Sequence, residues 1–242
     1  MRRNILTAIL LAIGAVLTTM ASLSLRIPML MPFLGAGVIY PLYLILVSRR
    51  YYNQAMLWVL WWAWSQSWAV AVATILAPEK AAYVILHGTV YTEDMFHWIQ
   101  TGEGAEGSLS LFLPIHLREY AIFSFLSLST FGSAALILGT YLLNYMNFYV
   151  GQLIAQSSHP WLAALVGWPP WSMLRVFGYI ATGLALTVLA SNLAHKISQK
   201  FPQLNFPRHY FLMGLGLLLG DLLVKTTLAP FWQQLLRMAL LN

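Results

Sequence analysis

No cysteine occurs among the 242 residues, which excludes disulfides, thiolate nucleophiles and thiol metal sites. Charge is almost as scarce. Asp, Glu, Lys and Arg together make up 8% of the chain and hydrophobic residues 60%, whereas ordinary soluble domains carry roughly 25% charged residues. So few charges cannot cover a water-facing surface. Several apolar runs of about 20 residues are long enough to cross a hydrocarbon core about 30 Å thick. No alternation of period two suggests a barrel, and backbone groups in lipid must be satisfied within each segment. The sequence therefore reads as an all-α, polytopic transmembrane helical bundle, a single membrane domain over 1–242.

The net charge is +6, but the basic residues stand singly or in pairs near the ends of apolar runs, as the positive-inside rule distributes them. Nucleic acid is therefore not an expected partner. The expected partners are the lipid bilayer and other membrane proteins, or further copies of the chain. The expected location is the cell (inner or plasma) membrane, with the N-terminus cytoplasmic. No cofactor motif occurs: there is no nucleotide-binding Gly-rich loop, no Walker motif and no Ser/His/Asp arrangement. The paired glutamates of membrane-embedded prenyl-protein proteases are also missing.

Met1-Arg2-Arg3 ahead of an apolar run is the start of a signal-peptide pattern, with Thr19-Met20-Ala21 as a weak cleavage site. The run over 5–25 exceeds the usual apolar core of about 7–15 residues, so it reads as an uncleaved first span. Arg26, Pro28 and Pro32 make a break. A second span follows over 33–47, closed by Arg49-Arg50, and a third over 54–76, ended by Pro78. Six of the seven acidic residues then fall between 79 and 119, which makes 78–118 an acidic extracytoplasmic loop. Within it, Thr92-Glu93-Asp94 has the pattern of a helix N-cap with acids in the first turn. Met95, Phe96, Trp98 and Ile99 continue it as an amphipathic interfacial helix, and 102–107 reads as a flexible Gly-rich tip.

A fourth span is expected over 119–143. The stretch 144–171 is broken by Asn144, Asn147, Gly151, His159, Pro160, Pro169 and Pro170. It reads as one short span, a re-entrant pair of half-helices or an interfacial hairpin. Another span covers 172–190, and the last begins near Tyr210 and passes Asp221 and Lys225 before Pro230 and an amphipathic tail. The count is six or seven. Seven returns Lys196, Lys200 and Arg208 to the cytoplasmic side and so suits the positive-inside rule, although the prolines make 145–168 a poor span.

Asp221 and Lys225, spaced i,i+4 in an otherwise apolar run, fall on one helix face and can pair there. A lone charge at the bilayer centre costs at least about 2.5–3.5 kcal/mol, so such residues face a partner or a cavity. Asp221 and Lys225 read either as an ion, proton or solute path or as a Lys snorkelling to the interface with Asp221 neutralising it. The preceding Gly216 and Gly220 read as a close-packing motif. Arg175 is the second intramembrane charge, with Asp221 or Glu119 as its partner or with the interface as its refuge. Asn144 and Asn147 complete the intramembrane polar set. Glu93 and His97, at i,i+4, are candidate metal ligands by type, but they lack a metal-site spacing, and a solvated acidic loop is the plainer reading. Trp58, Trp61, Trp62, Trp64 and Trp68 cover a broad arc of the third span. Helix packing and an aromatic belt explain them most simply, and a ligand-stacking face or quinone site is the alternative.

From Asp94 to Leu189 the chain resembles the stage II sporulation protein M-like family of membrane proteins. The residues that carry the likeness are Asp94-Met95-Phe96-His97 ahead of a span with Gly132 and Gly139, then Asn144-Tyr145-Met146-Asn147-Phe148-Tyr149-Val150-Gly151, then Gly167-Trp168-Pro169-Pro170-Trp171 through Arg175. Asn147 lacks the glycine that usually follows in that family, and Arg175 stands near a position where an acid is often found. The resemblance implies a membrane component acting with other proteins, in some relatives alongside cell-wall remodelling. Three functional expectations result. The first is a non-enzymatic subunit or scaffold of a membrane complex. The second is a small-solute or ion permease using Asp221 and Lys225, and the third a metal-dependent membrane enzyme.

Overall fold

A computed structural model describes residues 2–201 and 203–240, with residues 2 and 3 described by their backbone alone. Ten helices and no strand occur among the described residues. They are α1 (Arg2–Leu25), α2 (Leu30–Ser48), α3 (Tyr52–Leu76), α4 (Pro78–Val84), α5 (Gly88–Thr101), α6 (Leu109–Ser129), α7 (Ser133–Gln156), α8 (Pro160–Val166), α9 (Pro170–Ser198) and α10 (Arg208–Leu240). Six of them, α1, α2, α3, α6, α9 and α10, are long and apolar enough to cross a membrane.

Consecutive long helices alternate in direction, with α1, α3 and α7 parallel to one another, which gathers the connections at two ends. At one end the Arg50 guanidinium donates to the Gln203 carbonyl at 2.9 Å and the Phe131 ring stacks on Phe201 with centroids 5.3 Å apart. This end carries Arg2, Arg3, Arg49, Arg50, Lys196, Lys200 and Arg208 and no acid. At the other end α4, α5 and α8 form a cap with the end of α10. Gln233 donates to the carbonyls of Trp98 and Ile99, and Trp232 Nε1 donates to that of Val166. At about 1.5 Å per residue α10 is about 50 Å long, well beyond a hydrocarbon core, so its last turns leave the bundle and meet the cap.

Five expectations are corrected. The span expected over 119–143 is two helices, α6 and α7. Phe131 and Gly132 both have positive φ (53° and 83°), and a Cβ on Gly132 would overlap the Thr187 hydroxyl. Only glycine fits there, and the chain reverses at that point. Asn144 and Asn147 do not break a helix, since α7 continues past both to Gln156. Both amides make hydrogen bonds across helices, although the Asn144 Nδ2 has no partner among the described residues. Gln66 donates to Asn144 at 3.2 Å and to Thr19 at 3.3 Å. Asn147 donates to Ser67 at 3.0 Å and accepts from Trp168 at 2.7 Å. Small and amide side chains at contacts between helices are how bundles associate in lipid. The interruption falls instead at 157–169, around α8 and its flanking prolines.

Thr92 is not an N-cap. The helix already begins at Gly88, whose carbonyl accepts from the Thr92 hydroxyl. The apolar face of that helix, Met95, Trp98 and Ile99, is covered by α7, α8 and α10 and does not lie open to the interface. Finally, α10 passes through Pro230 without ending.

The glycine contact also differs from expectation. A Cβ on Gly216 would meet nothing within 4 Å and one on Gly220 only Leu174 at 3.7 Å. The close approach of α9 and α10 occurs at Gly178 and Gly214, where a Cβ on Gly214 would stand 3.0 Å from the Gly178 carbonyl and collide with Thr182. Gly214→Leu is therefore expected to destabilise the protein by about 1–3 kcal/mol or more through overpacking. Gly216→Leu should be near neutral. Thermal unfolding in detergent measures both.

Candidate functional site

Two prolines begin α9. Pro169 is extended (ψ 147°) and Pro170 takes the first helical position, where its fixed φ suits a helix start and its missing N–H is not needed. This places Arg175 between one and two turns inside the bundle, below the cap. Asp221 lies about 20 Å along α10 and faces it. The Arg175 Nε donates to Asp221 Oδ2 and Nη2 donates to Oδ1, both at 3.1 Å. The fork is bidentate, the strongest geometry available to this pair. The Asp221 side chain has 0% exposure. His116, one of the residues presented by α6, brings its Nε2 to 3.3 Å from Asp221 Oδ2 and stacks on Phe112 at 3.8 Å.

One turn further along α10, Lys225 Nζ lies 2.9 Å from Glu106 Oε2 and 3.3 Å from the centroid of the Phe112 ring. The Arg175 guanidinium carbon is 5.1 Å from the same ring, so one aromatic face serves both cations. Two carboxylates thus meet two cations at a site from which water is largely shut out. Each charge alone would carry a desolvation cost of several kcal/mol, and the four together are neutral.

The sequence placed Asp221 and Lys225 on one face, and both are buried there. They do not form a pair. The three ion pairs among the described residues join Asp221 to Arg175 and His116, and Lys225 to Glu106. Of the two acids considered for Arg175, it meets Asp221. Glu119 lies half-buried on α6 with no hydrogen bond or ion pair among the described residues. Glu106, placed by the sequence in a flexible tip, is the counter-ion of Lys225. Gly102 and Gly104, with φ of 81° and 118°, turn the loop inward and deliver it. Glu93 and His97 are exposed on α5, and no group of three or more His, Asp or Glu able to hold a metal occurs among the described residues. Asn144 and Asn147 belong to the α1–α3–α7 contact and not to the ion cluster.

The residues that sequence reasoning passed over are Glu106, His116, Phe112 and Gln66. A buried lysine requires a carboxylate, and the acid-rich loop was the obvious store of unassigned ones. That signal was present but could not choose among the five acids of the 78–118 loop. Nothing in the sequence pointed to Gln66.

Two cavities border the cluster. The larger, about 110 Å³, lies among α2, α3, α6, α7 and α9, with Glu119 and Arg175 at one end and Tyr43, Gly132 and Thr187 at the other. The smaller, about 20 Å³, lies under the 102–107 loop between Tyr91, Glu106, Trp171 and Arg175. Arg175 stands in the wall of both. Burial first, and nearby Glu106 next, push the pKa of Tyr91 in the cap well above the usual tyrosine value, so its hydroxyl stays neutral.

No family model matches this chain, and no characterised protein or solved structure matches it.

Arg175→Met or Asp221→Leu alone is expected to cost about 3–5 kcal/mol, because each leaves a buried charge without its partner. The double replacement Arg175→Met with Asp221→Leu should recover most of that loss. Unfolding midpoints of the four proteins in one detergent form the cycle. Additive losses would mean that the pair does not couple.

Proposed function

We propose that the chain is a non-enzymatic, seven-span protein of the cytoplasmic membrane that works as a subunit or scaffold of a larger membrane assembly. Its N-terminus lies in the cytoplasm and its acidic cap outside. The observation that carries this reading is the use made of the intramembrane charges. Asp221 and Lys225 are engaged by residues of the same chain, and the Lys225–Glu106 pair ties the cap to the bundle. They serve to hold a shaped surface. Counting α7 as a span is supported by its 24 residues, about 36 Å at helical rise, and by its antiparallel place after α6. The seven-span order puts every connection at the basic end on one side, and the positive-inside rule assigns that side to the cytoplasm. The resemblance to the stage II sporulation protein M-like family agrees with a component that acts through other proteins.

A permease is the second reading, favoured by one feature: Arg175 borders both the cavity under the cap and the interior one. Transporters place charged sites between such chambers near the midplane. Against it, both Asp221 oxygens are already engaged by Arg175, and His116 also approaches one of them.

The chain lacks cysteine, so single introduced thiols report the topology. Glu103→Cys should react with a membrane-impermeant maleimide in intact cells, and Lys200→Cys only after disruption. The opposite pattern would overturn the orientation. Extraction in mild detergent with cross-linking should recover a stoichiometric membrane partner. A lone monomer with nothing attached would turn the assignment toward the permease.

A further inference from the structure

The bundle carries a pocket of about 110 Å³ lined by residues of five helices and open along part of its boundary. Its wall on α9 runs from Arg175 to Thr187, about 18 Å at helical rise. It is long, narrow and almost wholly apolar. A Cβ on Gly139, which lines it, would meet nothing within 4 Å. An apolar space of this kind stays empty of water, and every atom lining it forgoes dispersion contacts.

Two polar groups in that wall are left without partners. Trp62 is 3% exposed and Tyr179 8%. Both side chains line the cavity, and neither the Trp62 Nε1 nor the Tyr179 hydroxyl has a hydrogen-bond partner among the described residues. Buried donors are rarely left this way, because each forfeits the hydrogen bond it would make in water. At the cap end stands Glu119, an acceptor with no hydrogen bond or ion pair among the described residues, beside an Arg175 whose Nε and Nη2 are taken by Asp221. An apolar slot with a few convergent polar groups is the usual form of a small-molecule site.

We propose that this slot binds an uncharged, oxygen-bearing lipid-like amphiphile. Its single hydrocarbon chain lies along α7 and α9, and its carbonyl or ether oxygens accept from Trp62 and Tyr179. A hydroxyl on its head donates to Glu119. An anionic head is disfavoured, since it would face the Glu119 carboxylate while Arg175 is already neutralised by Asp221. This goes beyond the subunit reading and needs no protein partner.

The test uses the full chain, purified in detergent and delipidated, titrated with radiolabelled monooleoylglycerol, with oleate as the charged control. Saturable binding of one equivalent is expected. Gly139→Phe should fill the slot and weaken binding by about tenfold or more, an amount equal to about 1.4 kcal/mol. Tyr179→Phe removes one acceptor-seeking hydroxyl and should weaken binding about 3–10-fold while leaving the ligand-free protein at least as stable. Gly216→Phe, on the open face of α10, should change nothing. Absence of saturable binding to the wild type, or equal binding by wild type, Gly139→Phe and Tyr179→Phe, would overturn the proposal and identify lipid associated only with the outer surface. Oleate binding as tightly as the glyceride would overturn the uncharged head. If Gly139→Phe fails to fold, Tyr179→Phe, which keeps the ring, decides alone.

Discussion

A carboxylate carried deep along an apolar helix, and a guanidinium just inside another, can persist in a low-dielectric interior only by meeting in good geometry. Arg175 and Asp221 do so through two parallel hydrogen bonds. The pair constrains much of the fold. It sets the register of α9 against α10, whose backbones approach most closely at Gly178 and Gly214, about a turn or two away along the same interface. It also fixes where α6 must lie, since His116 completes the environment of Asp221 from that helix. A buried ion pair is weak evidence for net stability. It is stronger evidence for arrangement, because any register that separates the two partners strands both charges.

The cap follows from the same constraint one turn away. Lys225 is nearly as deep as Asp221, but Asp221 is engaged by Arg175, and Glu119 on α6 forms no ion pair with Lys225. The chain supplies a carboxylate from the connection between α5 and α6, brought inward by glycines that tolerate positive φ. Phe112 lies between the two cations and joins both halves of the cluster. The acidic region therefore does more than meet solvent, as one of its carboxylates holds the cap to the bundle. Beside this charge-paired cluster lies a pocket with an apolar length and two donors, on Trp62 and Tyr179, that have no hydrogen-bond partner among the described residues.

Much of this was legible in the sequence where the physics is local. The spans over 5–25, 33–47 and 54–76 correspond to α1, α2 and α3 within a few residues, because hydrophobic length and flanking Arg and Pro decide them. The shared face of Asp221 and Lys225 followed from helical periodicity alone. The reading failed where a local cue was outweighed by a distant contact. Asn144 and Asn147 look like breakers until Gln66, Ser67 and Trp168 bond them from other elements. Gly132 looks like one more small residue in a span until Thr187 packs against it and makes it the turn.

By itself, then, the sequence determined the solvent, the helical class, the basic and acidic ends and the list of charges that had to be buried. These depend on composition and on periodicities a few residues long. Only the tertiary structure decided which charge meets which, that Glu106 and not Asp221 neutralises Lys225, and that a cavity opens beside Arg175 with Trp62 and Tyr179 unpartnered in its wall. Those outcomes depend on residues 46 to 119 positions apart being brought within a few ångströms, and no local pattern encodes a choice among several equivalent partners that far away.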